Sequence, residues 1–148
     1  MDCPSAPNSL DHLLVQVCRL HYARSHCLLE SIGVYRGQPP LLFILEEQEG
    51  VTHSELASHL HVTPATITKM LQRMEKAGLV ERRPDTEDQR ISRVYLTDAG
   101  RAILNDVKQA IATIAAETFA GFTEEEQQLL HHFLSRVREN LLRIWEEK

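Results

Sequence analysis

The sequence is poor in most features that mark a membrane, secreted or catalytic chain. No apolar run approaches the roughly 18 residues needed to span a bilayer, and the opening MDCPSAPNSLDHL has neither a basic n-region nor an apolar core. A cytoplasmic protein with no membrane partner is expected. Cys3, Cys18 and Cys27 form no C-x-x-C motif and, being three, cannot all pair within one chain, which argues against a disulfide framework. Nothing resembles a nucleophile elbow, a phosphate loop or a paired-carboxylate site, so neither an enzyme nor a cofactor is expected. The eight histidines also fall short of a metal site. His53, His59 and His61 cluster in sequence without convincing ligand spacing, and His131 and His132 are adjacent on a helix, so they cannot readily share one ion.

What is present is an ordinary globular composition. With 148 residues, 43% hydrophobic and 25% charged, the chain has the size of a single domain, 1–148. Its net charge of −5 argues on its face against nucleic acid, but the charge is uneven. Residues 63–93 hold seven basic and five acidic side chains, a local balance of +2, and the remainder carries −7. Screening confines charge effects to a Debye length of ~8 to 10 Å, so a local basic surface on an acidic body can still meet phosphates.

The chain is organised around residues 63–78, TPATITKMLQRMEKAG. Thr63 is a good N-cap, Pro64 suits the first helical turn, and Gly78 is a natural stop. Ile67, Met70, Leu71 and Met74 share one stripe at helical spacing, the pattern of a helix buried on one side. The opposite face carries Ala65, Thr66, Thr68, Lys69, Gln72, Arg73 and Lys76, which are small, hydrogen-bonding or basic, with no carboxylate among them. Glu75 falls near the boundary of the buried stripe.

The flanks give this helix its context. Residues 1–8, with two prolines and no periodicity, read as a frayed terminus. Ser9 caps a long amphipathic helix to about Gly33, with Leu10, Leu13, Leu14, Val17, Leu20 and Leu28 recurring at three- and four-residue intervals. A connector, 33–40, leads into a short helix from Leu41 to Glu49. Thr52-His53-Ser54-Glu55 is a capping box that starts a further helix, which must stop soon after His61. Two short helices joined by a tight turn form a helix-turn-helix. Beyond Gly78 the period changes to that of strands at 79–83 and 91–96, separated by a polar turn segment. A hairpin in that position is the wing of a winged helix-turn-helix. Thr97 then caps a helix from Asp98 to about Ala120, Gly121 stops it, and Thr123-Glu124-Glu125-Glu126 is a second capping box that launches a last helix, with Trp145 among its apolar residues. The expected fold is mainly α with a small β-hairpin wing (α+β). Residues 37–97 form the winged part, and the apolar helices of 9–36 and 98–148 form a helical dimerisation region from both termini.

This order is similar to the MarR family of transcriptional regulators. The resemblance is carried by Leu56-Ala57-x-x-Leu60 with Val62-Thr63, Leu71-x-x-Met74-Glu75-x-x-Gly78-Leu79-Val80, Arg82-Arg83-Pro84-Asp85 with Asp88-Gln89-Arg90, and Leu96-Thr97-x-x-Gly100. It implies a homodimer on an inverted-repeat operator in double-stranded DNA, usually a repressor released by a small molecule or an oxidant. In the recognition helix, Ala65 and Thr66 are candidates for thymine methyls, Gln72 for adenine, and Lys69 or Arg73 for guanine or phosphate. Thr63, Thr68 and Lys76 complete that surface. In the wing, Arg90 is the candidate for the minor groove, Asp88 for a salt bridge that holds the wing, and Arg82, Arg83 and Arg93 for phosphate clamps.

The switch is less legible. Arg19, His21, Tyr22, His26 and Tyr35 are candidates for a small aromatic or anionic effector, and equally for a subunit interface. His21, on or beside the apolar stripe, reads as a core or interface histidine. Cys18, four residues before Tyr22, resembles the thiol of peroxide sensors in the same family, but Pro39 and Pro40 stand where those sensors supply tyrosines. Cys18 and Cys27 face opposite ways on one helix, about 13 Å apart along its axis, so they cannot bond to each other and a buried inert thiol is the expected reading. A winged-helix module that binds protein rather than DNA is the rival class; the basic outer face and the wing arginines favour DNA.

Overall fold

A computed structural model describes residues 9–35 and 37–146, without the side chains of residues 145 and 146. The expected frayed terminus at 1–8, with Cys3, and the Trp145 side chain lie outside the described residues. The chain divides into two compact units, Met1–Ile114 and Ala115–Lys148.

In the first unit, α1 (Leu10–Ser31) starts where Ser9 accepts the His12 amide at 3.1 Å, and none of its residues is buried. Helix α2 (Gln38–Glu47) begins three residues before the expected Leu41. Gly37, at φ 86°, turns the chain, and Pro39 and Pro40 sit inside the first turn, where a missing amide hydrogen carries no penalty. Gln38 ties this corner twice: its amide donates to Tyr35 O at 3.1 Å, and its Oε1 accepts the Tyr35 amide at 3.0 Å.

The capping box of α3 (His53–Leu60) is complete. Thr52 Oγ1 accepts the Glu55 amide at 3.3 Å, and Glu55 Oε2 accepts the Thr52 amide at 2.8 Å. His61 ends the helix at φ 50°, the left-handed region that a non-glycine residue enters with strain. Two residues later Thr63 restarts the chain as the cap of α4 (Pro64–Lys76), accepting the Thr66 amide at 3.2 Å. Ile67, Leu71 and Met74 are buried and Met70 half-buried, as the stripe predicts.

The hairpin consists of β2 (Val80–Pro84) and β3 (Ser92–Leu96). A third strand, β1 (Val51–Thr52), was not expected: it pairs antiparallel with β3, and the sheet order is β1-β3-β2. Two residues are too few to show a period, and Thr52 already reads as a helix cap. The register sets Val80 against Leu96 and Arg82 against Val94 on one face, with Glu81 against Tyr95 and Arg83 against Arg93 on the other. Val80, Val94 and Leu96 close the core from the sheet side, against Leu41, Leu42 and Leu45 of α2, Leu56 of α3, and Leu104 and Val107 of α5 (Asp98–Thr118).

The end of α4, the start of β2 and the start of α5 meet at Thr97. Its hydroxyl donates to Gly78 O at 2.6 Å and accepts the Gly100 amide at 3.0 Å, while its amide donates to Leu79 O at 3.1 Å. Gly100 is buried here, and a Cβ on it would stand 2.0 Å from Leu79 O, a backbone atom with no freedom to retreat.

The second unit is dominated by α6 (Glu124–Glu146), launched by the expected box: Thr123 Oγ1 accepts the Glu126 amide at 3.2 Å, and Glu126 Oε2 accepts the Thr123 amide at 2.8 Å. Leu129, Phe133, Leu141 and Ile144 are exposed on it. No described helix is long and apolar enough to cross a membrane.

Gly100→Ala should lower stability by about 1 to 3 kcal/mol or more, the usual cost of overpacking against atoms that cannot move. Urea unfolding followed by circular dichroism checks it; an unchanged midpoint would show that the α5 start can shift freely.

Candidate nucleic-acid interface

The outer face of α4 combines exposed polar and basic groups with a firmly packed back. Ala65, Thr66, Lys69, Gln72, Arg73 and Lys76 are exposed and Thr68 is half-buried, its hydroxyl donating to Pro64 O at 3.0 Å. Thr63 is committed to its cap, and its Oγ1 lies 2.9 Å from that of Thr66, so both hydroxyls are oriented locally. Lys69, Arg73 and Lys76 form no ion pair among the described residues.

The hairpin arginines are different, because each has a carboxylate partner. Arg82, on the core-facing side of β2, reaches back to α4 and holds both oxygens of Glu75, Nε to Oε1 at 2.7 Å and an Nη to Oε2 at 2.6 Å. Fork-to-fork geometry of this kind is directional as well as attractive, and it ties strand to helix. Partial burial, and then the Arg82 charge, lowers the pKa of His53, at the start of α3, below its ordinary value, with Glu75 opposing. Arg83, on the other face, pairs with Glu81 and lies over the Tyr95 ring at 4.6 Å.

Arg93 would face Arg83 directly across the ladder, an unfavourable opposition of like charges. Its Nε instead donates to Asp85 Oδ1 at 2.6 Å, and an Nη donates to Gly50 O at 2.8 Å, which joins β3 to the turn before β1. Asp85 also accepts the amides of Glu87 and Asp88, shaping the hairpin loop. Asp88 holds Arg90 in two-point contact, Nε and Nη2 each at 3.0 Å from one oxygen, and accepts the Arg90 amide as well. Even so, the Arg90 side chain is 90% exposed, at the tip of the wing. These partners, Glu75 for Arg82 and Asp85 for Arg93, were not foreseen from sequence. The pairs are seven and eight residues apart across turns, and no helical or strand period links them.

The effector candidates are not gathered into one place. Tyr22 and His26 line a hollow of about 130 Å³ between α1 and the start of α2, walled by Leu29, Val34, Pro39 and Pro40. His26 Nδ1 lies 3.3 Å from Glu30 Oε2 at its edge. Arg19 lines a separate, more open depression on α1, which it shares with Tyr22. His21 and Tyr35 line neither, and both are exposed. Cys18 and Cys27 are free, exposed thiols on the single chain, which corrects the expectation of a buried cysteine. The reason is that α1 buries none of its own side chains in this unit. Among the described residues, no three His, Cys, Asp or Glu side chains gather as a metal site would require.

The hydrogen bond from Arg93, then those from the Asp88 and Glu87 amides, hold the Asp85 carboxyl below its ordinary value of 3.8. A depressed carboxylate supports the fold above its unfolded value, and that support disappears as the pH falls through the folded one. The Asp85 carboxyl carbon should therefore titrate below 3.8 in a nuclear magnetic resonance series, and Arg93→Ala should raise its midpoint. An unmoved midpoint in the variant would remove Arg93 as the cause.

Comparison with known proteins agrees with this architecture. The model of the MarR family matches residues 35–92. The chain is 32% identical over 112 residues to the uncharacterised helix-turn-helix transcriptional regulator YdgJ of Bacillus subtilis, covering 76% of this chain and 68% of that one. It is 33% identical over 114 residues to the transcriptional repressor IacR of Pseudomonas putida, covering 77% and 68%. Among solved structures, a cysteine-to-serine mutant of MarR from E. coli in complex with operator DNA superposes with a TM-score of 0.76 at 26% identity, covering 93% of this chain and 99% of that one. The chain is thus a DNA-binding winged-helix protein and not an enzyme, and it belongs to the MarR family of transcriptional regulators.

Proposed function

We propose that this regulator is a homodimeric repressor of an inverted-repeat operator, with α4 as the major-groove reader and Arg90 as the minor-groove probe. The observation that carries the reading is the division of labour among the cations. Arg82, Arg83 and Arg93 each hold a carboxylate of the fold, whereas, among the described residues, Lys69, Arg73 and Lys76 stand beside Ala65, Thr66 and Gln72 with no carboxylate held against them. An anionic, groove-shaped partner is the natural complement of such a face. Asp88 acts as a brace that aims Arg90, and Arg90 exchanges part of that contact for DNA. The phosphate-clamp role first given to Arg82 and Arg93 passes to the α4 cations, because both arginines already hold carboxylates that the fold itself supplies.

Dimerisation is supported by surfaces that a lone chain leaves wet. On α1, Leu10, Leu13, Val17 and Leu20 are exposed, Leu20 at 72%, and α6 carries its own exposed apolar residues. Covering them with a second copy would set two α4 helices about 34 to 36 Å apart, which explains a palindromic site. An effector in the hollow beside α1 would then alter that spacing or the α4 attitude.

Selection of bound duplexes from random DNA should recover an inverted repeat; recovery of no consensus would favour a protein-binding module. On that operator, Arg90→Ala should cost roughly 1 to 3 kcal/mol of affinity by fluorescence anisotropy. Unchanged binding would remove Arg90 from the interface. Lys69→Ala should reduce the slope of log affinity against log salt by about 1. Arg82→Ala should leave that slope unchanged and lower the melting temperature instead; a shallower slope would return Arg82 to the phosphates.

A further inference from the structure

Three helix ends in the first unit are closed in the same way, and one of them breaks a rule that the other two keep. After α1, the Val34 amide donates to Leu29 O at 2.9 Å and the Gly33 amide to Glu30 O at 3.0 Å. After α4, the Leu79 amide donates to Met74 O and the Gly78 amide to Glu75 O, both at 2.9 Å. After α3, the Val62 amide donates to Ala57 O at 3.1 Å and the His61 amide to Ser58 O at 3.3 Å. This closure puts the fifth of its six residues in the left-handed region, where glycine carries no Cβ penalty. Gly33 and Gly78 stand there at φ 77° and 73°, and His61 stands there at φ 50°. A Cβ on Gly33 or Gly78 would meet nothing within 4 Å, so those two glycines answer to the backbone angle alone. Among the described residues, His61 is the one non-glycine with positive φ.

No contact inside the chain accounts for the exception. His61 is exposed, and its imidazole makes no hydrogen bond, ion pair or ring contact among the described residues. Backbone strain that no internal partner explains points to service outside the chain. Its position names the partner. His61 stands two residues before Thr63, the cap of α4, so the two Cα atoms are at most ~8 Å apart. Residues 61–66 are exposed without a break, and that run leads straight onto the outer face of α4. Between Glu55 and Glu75 the chain has no carboxylate, while Lys69 and Arg73 fall in the interval, so this edge favours an anion. An imidazole keeps a ring N–H donor whether neutral or charged.

Resting on the reading of α4 as the major-groove element, we propose that His61 is an operator contact: its ring donates a hydrogen bond to a backbone phosphate beside the bases that α4 meets, and its strained backbone is retained for that contact. A phosphate carries no base identity, so His61 holds register and orientation and leaves sequence preference to α4. Stability and affinity are therefore opposed at this position. Glycine relaxes the turn and removes the donor.

His61→Gly and His61→Gln, each in the full chain, separate the contact from the turn. His61→Gly should raise the melting temperature by about 2 to 4 °C, the shift that relief of backbone strain brings in a chain of this size. In fluorescence anisotropy it should bind the selected operator and a scrambled duplex of equal length about tenfold more weakly, by the same factor on both, the scale of a hydrogen bond to a charged group. His61→Gln, which keeps a side-chain N–H donor, should retain most of the affinity and gain no melting temperature. Replacing single operator phosphates by uncharged methylphosphonates should reveal a position in each half-site that weakens the unsubstituted chain and leaves His61→Gly unaffected.

Unchanged affinity in His61→Gly, a changed consensus, or the absence of any such phosphate would each overturn the contact. So would weaker binding that comes with a lower melting temperature, which would make the imidazole part of the turn's own packing, or a His61→Gln chain as weak as His61→Gly. If the unsubstituted chain binds neither duplex, the reading of α4 falls and this contact with it. If it binds both and His61→Gly binds them alike, only the contact falls.

Discussion

The contact on which the setting of α4 and the wing depends is the hydroxyl of Thr97. It joins the carbonyl that ends α4 to the amide that begins α5, while the Thr97 amide takes the carbonyl that leads into β2. Helix, strand and following helix leave one point, and the approach is so close that only a glycine fits at position 100. An α4 helix held by apolar packing alone would be free to rock about its buried stripe. Fixing its C-terminal end, and bracing Glu75 to Arg82 one turn earlier, couples the attitude of the outer face of α4 to the wing.

The same rigidity governs how charge is used. Exposed ion pairs contribute little to stability, typically 0 to 1 kcal/mol each, so the value of the hairpin's pairs is geometric. Arg93 and Asp85 shape the loop, Arg82 and Glu75 join wing to helix, and Asp88 restrains the tip arginine. A surface that looks broadly basic in sequence is thereby divided. The hairpin arginines hold carboxylates, and, among the described residues, Lys69, Arg73 and Lys76 of α4 form no ion pair.

Midway along α4, Met70 meets the turn that leads into α2. Gly37 permits the turn into α2 because its φ of 86° suits a residue without Cβ, and the same lack of a Cβ lets Met70 approach. Helix α4 therefore has a hydrogen-bonded junction at Gly78 and a side contact at Met70, a flexible thioether against a bare backbone.

Local signals in the sequence determined the elements and their punctuation. The boxes at Thr52 and Thr123, the caps at Ser9, Thr63 and Thr97, and the stops at Gly78 and Gly121 are each written within four residues of the bonds they make. The buried stripe of α4 follows from helical periodicity for the same reason. Tertiary structure alone decided which carboxylate each hairpin arginine holds, that Val51 and Thr52 add a third strand, and that Arg19 and His26 line different hollows. Those outcomes depend on the register of β2 against β3 and on how α1 and α2 meet at Gly37. Such distances arise between residues that no period connects, so they exist only once the chain has folded.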